Sequence, residues 1–88
     1  MIIMADSKVG RIDHYYDNIG VAVLEITDNS VAVGDTIKIT DKTGEEKFTQ
    51  TVASIQMEHE NVDEANKGDA VGLKVDQPVD EGDLVYRV

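Results

Sequence analysis

The sequence predicts an all-β domain, a small closed or nearly closed barrel of six strands. None of its longer segments has helical periodicity. Short runs of alternating apolar and polar residues are separated by turn signals at intervals of about ten residues, which is typical of a sandwich or a barrel. Closing six strands into a barrel also removes the exposed edges that an open sheet would leave.

Six runs have the alternation of strands, in which successive side chains point to opposite faces. The runs are bounded by Gly, Asp and Asn and by the single proline at position 78, all of them residues that favour turns. The predicted strands are residues 8–15, 20–27, 35–40, 46–57, 70–75 and 84–88, with Ala22, Leu24, Ile26, Ile37, Ile39, Val71, Leu73 and Val75 facing inward.

The fourth predicted strand is long and changes phase along its length. Phe48 and Val52 share one phase of the alternation, whereas Ile55 and Met57 share the other. Because a shift of one residue moves side chains to the opposite face, an unbroken strand would leave one pair in solvent. We therefore predict a bulge or bend near residues 53–54.

A Gly-Asp pair followed by a strand occurs three times, in VAVGDTIKI (31–39), ANKGDAVGLKV (65–75) and VDEGDLVYRV (79–88). Glycine adopts a positive φ at little steric cost, and an aspartate side chain can accept hydrogen bonds from neighbouring backbone amides. The segments between the three pairs differ, so the pattern indicates a recurring turn and not a solenoid repeat.

Two further segments carry predictions. Of the adjacent Tyr15 and Tyr16, one should face inward and the other outward. The outward ring more often covers an end of the barrel, and the alternative is that it stacks on a base or anchors a partner. The irregular stretch 58–67 has Val62 and Ala65 three residues apart, which favours one helical turn over the mouth of the barrel.

Length and composition indicate one domain. Among the 88 residues there is no cysteine, which excludes disulfides and thiolate metal sites and is typical of a reducing compartment. The apolar stretch at the beginning is too short for a signal peptide or a membrane span. We expect a cytoplasmic monomer without membrane contact, with residues 1–6 as a poorly ordered tail and residues 7–88 as the domain.

The formal net charge of −10, from 18 acidic and 8 basic residues, bears on the kind of partner. Nucleic-acid binding usually requires a basic surface that neutralises phosphates. Acidity also keeps a small domain soluble. A weak basic face could still be formed by Lys8, Arg11, Lys38, Lys42 and Lys47.

Motifs of common catalytic sites are absent from the sequence: it contains no P-loop, no G-x-S-x-G, no H-E-x-x-H and no EF-hand loop. His14 and His59 lie on different predicted elements, whereas a metal site needs several converging ligands. The acidic run DQPVDEGD (76–83) matches no calcium-loop spacing. We predict no catalytic residue, no metal and no nucleotide or other cofactor.

Several motifs together resemble the second domain of elongation factor Tu and elongation factor 1-alpha. The run VASIQMEHENVDEANKGDAVGLKV is similar to a family segment in which a V-E-M-H-like strand end, an acidic loop and G-D-N-V-G follow one another. VGRIDHYYDNIGVAVLEITDNSVAVGDTIKI and DEGDLVYRV resemble the family's G-R-V, V-G-D-x-I and closing strands. The resemblance covers about residues 7–88 and implies a six-stranded Greek-key barrel. The same barrel type occurs as an accessory domain of U32 peptidases, some of which act in RNA modification.

In the translation factors, this domain helps to hold the aminoacyl end of transfer RNA. The family's acidic, histidine and asparagine contacts fall at Gln56, Glu58 and Ala70, so all three depart from its pattern. Alanine lacks the amide donors and acceptor that would orient a ligand. The candidate binding residues are Arg11, Lys38, Gln56, Glu58, His59 and Ala70.

Two functions follow from the resemblance. The first is a non-enzymatic, stand-alone binding module associated with translation or RNA metabolism, contacting transfer or ribosomal RNA through Lys8, Arg11, Lys38 and Lys47. The alternative is an acidic protein-interaction or auxiliary subunit that docks on a separately encoded enzyme such as a U32-type peptidase. Its acidic surface would then match a basic patch on that partner and set the specificity and the encounter rate.

Overall fold

The computed structural model describes residues 7–88, and the predicted tail, residues 1–6, lies outside the described residues. The described part is all-β, as predicted, and contains ten strands and no helix. There is accordingly no helix among residues 7–88 that is long and apolar enough to cross a bilayer. The strands are β1 Ser7–Tyr16, β2 Val21–Ile26, β3 Val31–Ala32, β4 Thr36–Thr40, β5 Glu46–Thr51, β6 Ile55–Met57, β7 Glu60–Val62, β8 Glu64–Ala65, β9 Ala70–Lys74 and β10 Leu84–Arg87.

Eight of the strands form one sheet in the order β5-β4-β10-β1-β2-β9-β6-β7, and β3 pairs with β8 in a second, two-stranded sheet. All pairs are antiparallel. The predicted inward residues of β2, β4 and β9 are buried, as the alternation requires. They share a single core with Val9, Ile12, Val31, Phe48, Val52, Ile55, Ala65, Val79 and Val85.

The six-stranded closed barrel is not confirmed, because the main sheet is not closed by a backbone ladder within residues 7–88. The predicted fourth strand is divided into β5, which pairs with β4, and β6, which pairs with β9 and β7. Residues 52–54 between them are not in a strand, so the predicted bend is confirmed. The bend turns Phe48, Val52 and Ile55 all toward the core.

A buried glutamine bridges the gap that this bend leaves. Gln50 on β5 is 7% exposed. Its side-chain Nε2 donates to the Lys74 carbonyl at 2.9 Å, and its Oε1 accepts from the Asp76 amide at 2.7 Å. One amide side chain therefore satisfies a donor and an acceptor at the end of β9, as a paired strand would do elsewhere.

The prediction of a helical turn within residues 58–67 is wrong. Glu58 and His59, with φ of 52° and 69°, form the two-residue turn of a hairpin in which Met57 pairs with Glu60. Positive φ at both central residues is the geometry of a type I′ turn, whose twist matches that of the flanking strands. Val62 then pairs with Ile55, and Ala65 in β8 pairs with Val31. Cross-strand pairing, and not i to i+3 packing, therefore accounts for the spacing of the two apolar residues.

The three Gly-Asp pairs form the same turn, as predicted. In the second turn, Gly68 has a φ of 96°, and the Asp69 amide donates to the Asn66 carbonyl at 2.9 Å. The Asp69 carboxylate in return accepts from the Asn66 amide at 2.9 Å. Asp35 and Asp83 accept in the same way from the amides of Ala32 and Asp80, at 2.9 and 2.8 Å.

Each of these turns is also joined to a neighbouring strand or its end by the same two backbone hydrogen bonds. At the third turn, Gly82 donates to the Ile12 carbonyl at 2.8 Å and the Ile12 amide donates to the Asp83 carbonyl at 2.7 Å. Ile26 exchanges the equivalent bonds with Gly68 and Asp69, and Val52 exchanges them with Gly34 and Asp35. The turn motif thus connects distant segments as well as reversing the chain.

A bulge in β1 decides which of its side chains face outward. The register between β1 and β2 shifts between Ile12 and His14, so that Asp13 is the extra residue of a bulge. Tyr15 consequently packs against the core and Tyr16 is 46% exposed, which confirms the prediction of one inward and one outward tyrosine. Near the start of the strand, a Cβ at Gly10 would overlap the Glu25 carbonyl oxygen, so only glycine fits there.

Candidate docking surface

Three of the six candidate residues lie on one face of the sheet. Arg11 on β1, Gln56 on β6 and Ala70 on β9 are all exposed on its outer side. Glu58 and His59 form the turn that directly follows β6. Lys38 lies apart from them on β4, with its Nζ 5.4 Å from the ring centroid of Tyr86 on the neighbouring β10.

The strand register defines this face as a small array of side chains, here named the outer grid. Its middle row consists of successive cross-strand partners: His14 pairs with Val23, Val23 with Gly72, Gly72 with Gln56, and Gln56 with Asn61. A row on each side completes it. The outer grid comprises Arg11, Glu25 and Ala70 in the first row, His14, Val23, Gly72, Gln56 and Asn61 in the second, and Tyr16, Val21 and Lys74 in the third.

The centre of the outer grid is apolar and lacks a side chain at one position. Val21 and Val23 are only partly buried, although their neighbours Ala22 and Leu24 are fully buried on the inner face. Gly72 contributes no side chain. A Cβ placed there would lie only 3.3 Å from Cγ1 of Val21, so the valine side chain already covers part of Gly72.

Aromatic and aliphatic side chains border the centre on the side of the β1–β2 turn. The rings of His14 and Tyr16 meet edge to face, with centroids 4.4 Å apart and an interplanar angle of 66°. Ile19, in the turn after β1, is 60% exposed. Exposed aromatic rings beside aliphatic groups are typical of protein interfaces, because they offer large contact areas together with a polar group.

Two contacts engage ionisable side chains of the outer grid, and Lys74 is a further cation in its third row. Arg11 Nε lies 2.9 Å from Oε1 of Glu25, the one acidic residue among the eleven grid positions. His14 Nδ1 lies 3.0 Å from Oε2 of Glu81, in the turn before β10. Both pairs are largely exposed and contribute little to stability. Since Arg11 offsets Glu25, Lys74 adds one positive charge to this face.

Of the five cations considered for a weak basic face, Lys8 and Lys38 lie in one cross-strand row on either side of Tyr86, whereas Lys47 and Arg11 are engaged by carboxylates. Lys47 Nζ donates to Asp83 at 2.7 Å and to Asp80 at 3.1 Å. The hydrogen bond that Lys47 donates to the Asp83 carboxylate raises the pKa of Lys47 above its ordinary value. Lys47 therefore holds the loop before β10, and Arg11 is engaged by Glu25.

The two histidines are far apart in the fold, one on β1 and the other in the β6–β7 turn. In the part of the chain that the structure describes, no three His, Cys, Asp or Glu side chains converge as ligands for a metal ion.

Sequence reasoning identified part of the outer grid. It proposed the outward tyrosine, Arg11, Gln56 and Ala70, but it omitted His14, Val21 and Val23 as members of a surface. The two valines could have been found, since they alternate with inward residues of β2 and must face outward. His14 could not, because its direction depends on the bulge at Asp13.

Comparisons with known proteins place the chain beside peptidases. No family model matches it. It is 38% identical over 79 residues to an uncharacterized protease of Methanocaldococcus jannaschii, covering 90% of this chain and 19% of that protein. It is 34% identical over 79 residues to a collagenase of Porphyromonas gingivalis, covering 90% of this chain and 22% of that protein. The chain therefore spans about a fifth of the length of these relatives.

Solved structures share the fold of the entire domain. The C-terminal domain of a Geobacillus thermoleovorans protein described as a U32 peptidase superposes with a TM-score of 0.81 at 23% identity, covering 91% of this chain and 98% of that one. A second crystal structure of that domain gives a TM-score of 0.81 at 21% identity. The chain thus shares the fold of that domain. Of the two hypotheses, these matches favour the auxiliary one over the translation-factor one.

Proposed function

We propose that this chain is a non-catalytic accessory domain that docks on the catalytic domain of a U32-type peptidase, either within one polypeptide or as a separate subunit. One observation carries the proposal: a protease matches 90% of this chain with only 19% of its own length. The chain also covers 98% of a C-terminal domain whose structure was solved by itself. This likeness supports a division of such peptidases into a catalytic part and an accessory domain. Catalysis then belongs to the remainder of such a peptidase, and this domain supplies a binding surface.

The residues that would contact an aminoacyl end support this choice over the translation-factor hypothesis. Ala70 has no polar side-chain atom, and the Gln56 amide is 3.4 Å from Oδ1 of its cross-strand neighbour Asn61. Two of the four cations proposed for RNA, Arg11 and Lys47, are engaged by carboxylates of the domain itself. A net charge of −10 opposes the approach of a polyanion, while it assists encounter with a basic protein surface.

The finer description of the fold, a Greek-key barrel, remains part of this proposal. The strands β5 and β6 are not paired in the sheet, but the chain connects them directly, since residues 52–54 alone separate them. The side chain of Gln50 crosses from β5 to the end of β9. These two connections support the proposal of a barrel whose fourth strand is bent.

The test is an affinity purification of the tagged chain from extract of its native cells at low salt. Bound protein is identified by mass spectrometry and bound RNA by sequencing, both from the same eluate, with the tag alone as control. We expect enrichment of a U32-type peptidase and RNA at the level of the control. Transfer or ribosomal RNA that stays bound after the co-purifying proteins are removed would overturn the proposal and restore the translation hypothesis.

A second form of the test applies where this domain and a catalytic domain share one polypeptide. A specific protease site is inserted ahead of Ser7, and the cleaved protein is passed through gel filtration. If the domain docks, the two fragments elute together at low salt. Separate elution at micromolar concentration would contradict docking.

A further inference from the structure

The outer grid is poor in acidic residues although the protein is rich in them. The chain has 18 acidic residues, yet Glu25 is the one acid among the eleven grid positions, and Arg11 neutralises it at 2.9 Å. A second acid, the exposed Asp13 of the β1 bulge, lies between Arg11 and His14. Further acids lie directly beyond the borders, with Asp17 after Tyr16, Asp76 beyond Lys74, and Glu58 and Glu60 in the hairpin beyond Gln56. Depletion of charge at the centre with polar and charged groups at the rim is the composition of a protein interface.

The apolar groups on and beside the outer grid add to this pattern. Tyr16 and Ile19 are two of the four large hydrophobic residues that are exposed among residues 7–88, and both lie on the same side of the grid. Val21 and Val23 extend the apolar surface to Gly72, which has no side chain. A flat apolar surface of this kind can pack against an aliphatic side chain of a partner.

The size of the outer grid suits contact between domains. Five strands about 4.8 Å apart give a width of roughly 19 Å, and five residue steps along β1 give a length of roughly 16 Å. The product is about 300 Å², and interfaces between domains bury about 300–750 Å² on each side. The remaining strands of the sheet are therefore not required for an interface of this class.

We infer that the outer grid is the docking face, and that its partner is an apolar patch, rimmed by basic residues, on the catalytic domain of a U32-type peptidase. This inference rests on the proposed function and adds to it the face and the chemistry of the partner. An aliphatic side chain of the partner packs flat against Val21, Val23 and the backbone of Gly72. The amides of Gln56 and Asn61 hydrogen-bond to polar groups around it. The surrounding acids accelerate association with the basic rim, and this effect weakens as salt is added.

The direct test uses a photo-crosslinking amino acid, p-benzoylphenylalanine, introduced into the full chain in its native cells. One variant carries it at Ala70 on the outer grid, and the matched control carries it at Thr49 on β5. Both sites are small, exposed strand residues. The inference predicts that a U32-type peptidase is crosslinked from position 70 and not from position 49.

Each other outcome is decisive in a different way. A peptidase crosslinked from position 49 alone overturns the choice of face and leaves the proposed function standing. An unrelated protein or RNA crosslinked from position 70 overturns the proposed function and the inferred partner with it. If neither position crosslinks a macromolecule, the outer grid is not a docking face.

A substitution pair measures the strength of the contact with the purified peptidase. Ala70→Glu places an unpaired carboxylate in the interface, so affinity should fall by about tenfold or more. Thr49→Glu makes the same chemical change on β5 and should alter affinity by less than about twofold, as expected for a charge outside the contact. Thermal unfolding of both variants verifies that they fold. Equal losses of affinity would overturn the inference.

Discussion

The Gly68-Asp69 and Gly82-Asp83 turns are chemically the same, but they lie in different surroundings. Each has a glycine with φ above 90° and an aspartate that accepts from the backbone amide three residues earlier. Asp83, however, is 2% exposed and is bonded to Lys47, whereas Asp69 is only partly buried and lies beside the exposed Lys67. Residues within the turn are therefore sufficient to build it, while residues distant in the sequence decide how much the turn contributes to the free energy of unfolding.

The largest effect that we expect comes from removing the two aspartates in turn. Asp83→Ala loses the hydrogen bond of the turn and leaves Lys47 with only the exposed Asp80, so the free energy of unfolding should fall by about 3 kcal/mol. Asp69→Ala loses only the turn bond and should cost about 1 kcal/mol. Urea denaturation followed by circular dichroism measures both. Losses equal within the error would show that the two turns are equivalent after all.

Replacing the lysines isolates the ion pair from the turn. Lys47→Met keeps the length of the side chain but leaves the buried Asp83 carboxylate without its cation, and it should cost about 2 kcal/mol. The Lys47 side chain is 27% exposed, so the loss is smaller than for a fully buried pair. The matched control, Lys67→Met in the other turn, should change stability by less than about 0.5 kcal/mol. A comparable loss in the control would argue against a specific role of Lys47.

Replacing the glycines tests what the two turns have in common. Gly68→Ala and Gly82→Ala each place a residue with a Cβ in the left-handed backbone region. Each should lower the free energy of unfolding by about 1–2 kcal/mol. A Cβ at Gly82 would lie 3.5 Å from Cε of Lys42, an ordinary contact, and one at Gly68 would meet no atom within 4 Å. The same urea titrations should therefore give nearly equal losses. A much larger loss at Gly82 would reveal a steric role that the backbone geometry does not account for.

The smallest effect is a dependence on alkaline pH that belongs to one turn alone. Asp83 raises the pKa of Lys47 above its unfolded value, so the stabilisation is complete below that value and is lost as the pH rises through the folded pKa. Between about pH 9 and pH 11.5, the urea midpoint of the native protein should therefore fall more than that of Lys47→Met. Parallel curves for the two proteins would contradict the assignment.

Much of the fold was predictable because its signals are local. The Gly-Asp turns, the inward residues of β2, β4 and β9 and the bend after β5 follow from turn chemistry and alternation over a few residues. The β6–β7 hairpin was missed because its turn uses Glu58 and His59 at positive φ, where glycine and asparagine are the usual residues. Alternation was also too short in β7 and β8 to indicate strands.

The candidate surface was predictable only in part, since it depends on register. Arg11, Gln56 and Ala70 were selected for separate reasons, and the pairing of β1, β2, β9 and β6 brings them onto one face. Lys38 was selected with them, but it lies on β4, which β10 separates from β1 in the sheet. The bulge at Asp13 then turns His14 and Tyr16 outward together, and nothing in the local sequence marks its position.

By itself, the sequence determined the all-β class, the three turns and the strand faces, because each depends on backbone preferences and side chains within a few residues. Only the tertiary structure decided that Lys47 meets Asp83, that Gln50 bridges to the end of β9, and that the outer grid is an acid-poor surface. These contacts join residues far apart in the chain. They form only when the order, the register and the bulges of the strands act together, and no local pattern specifies that combination.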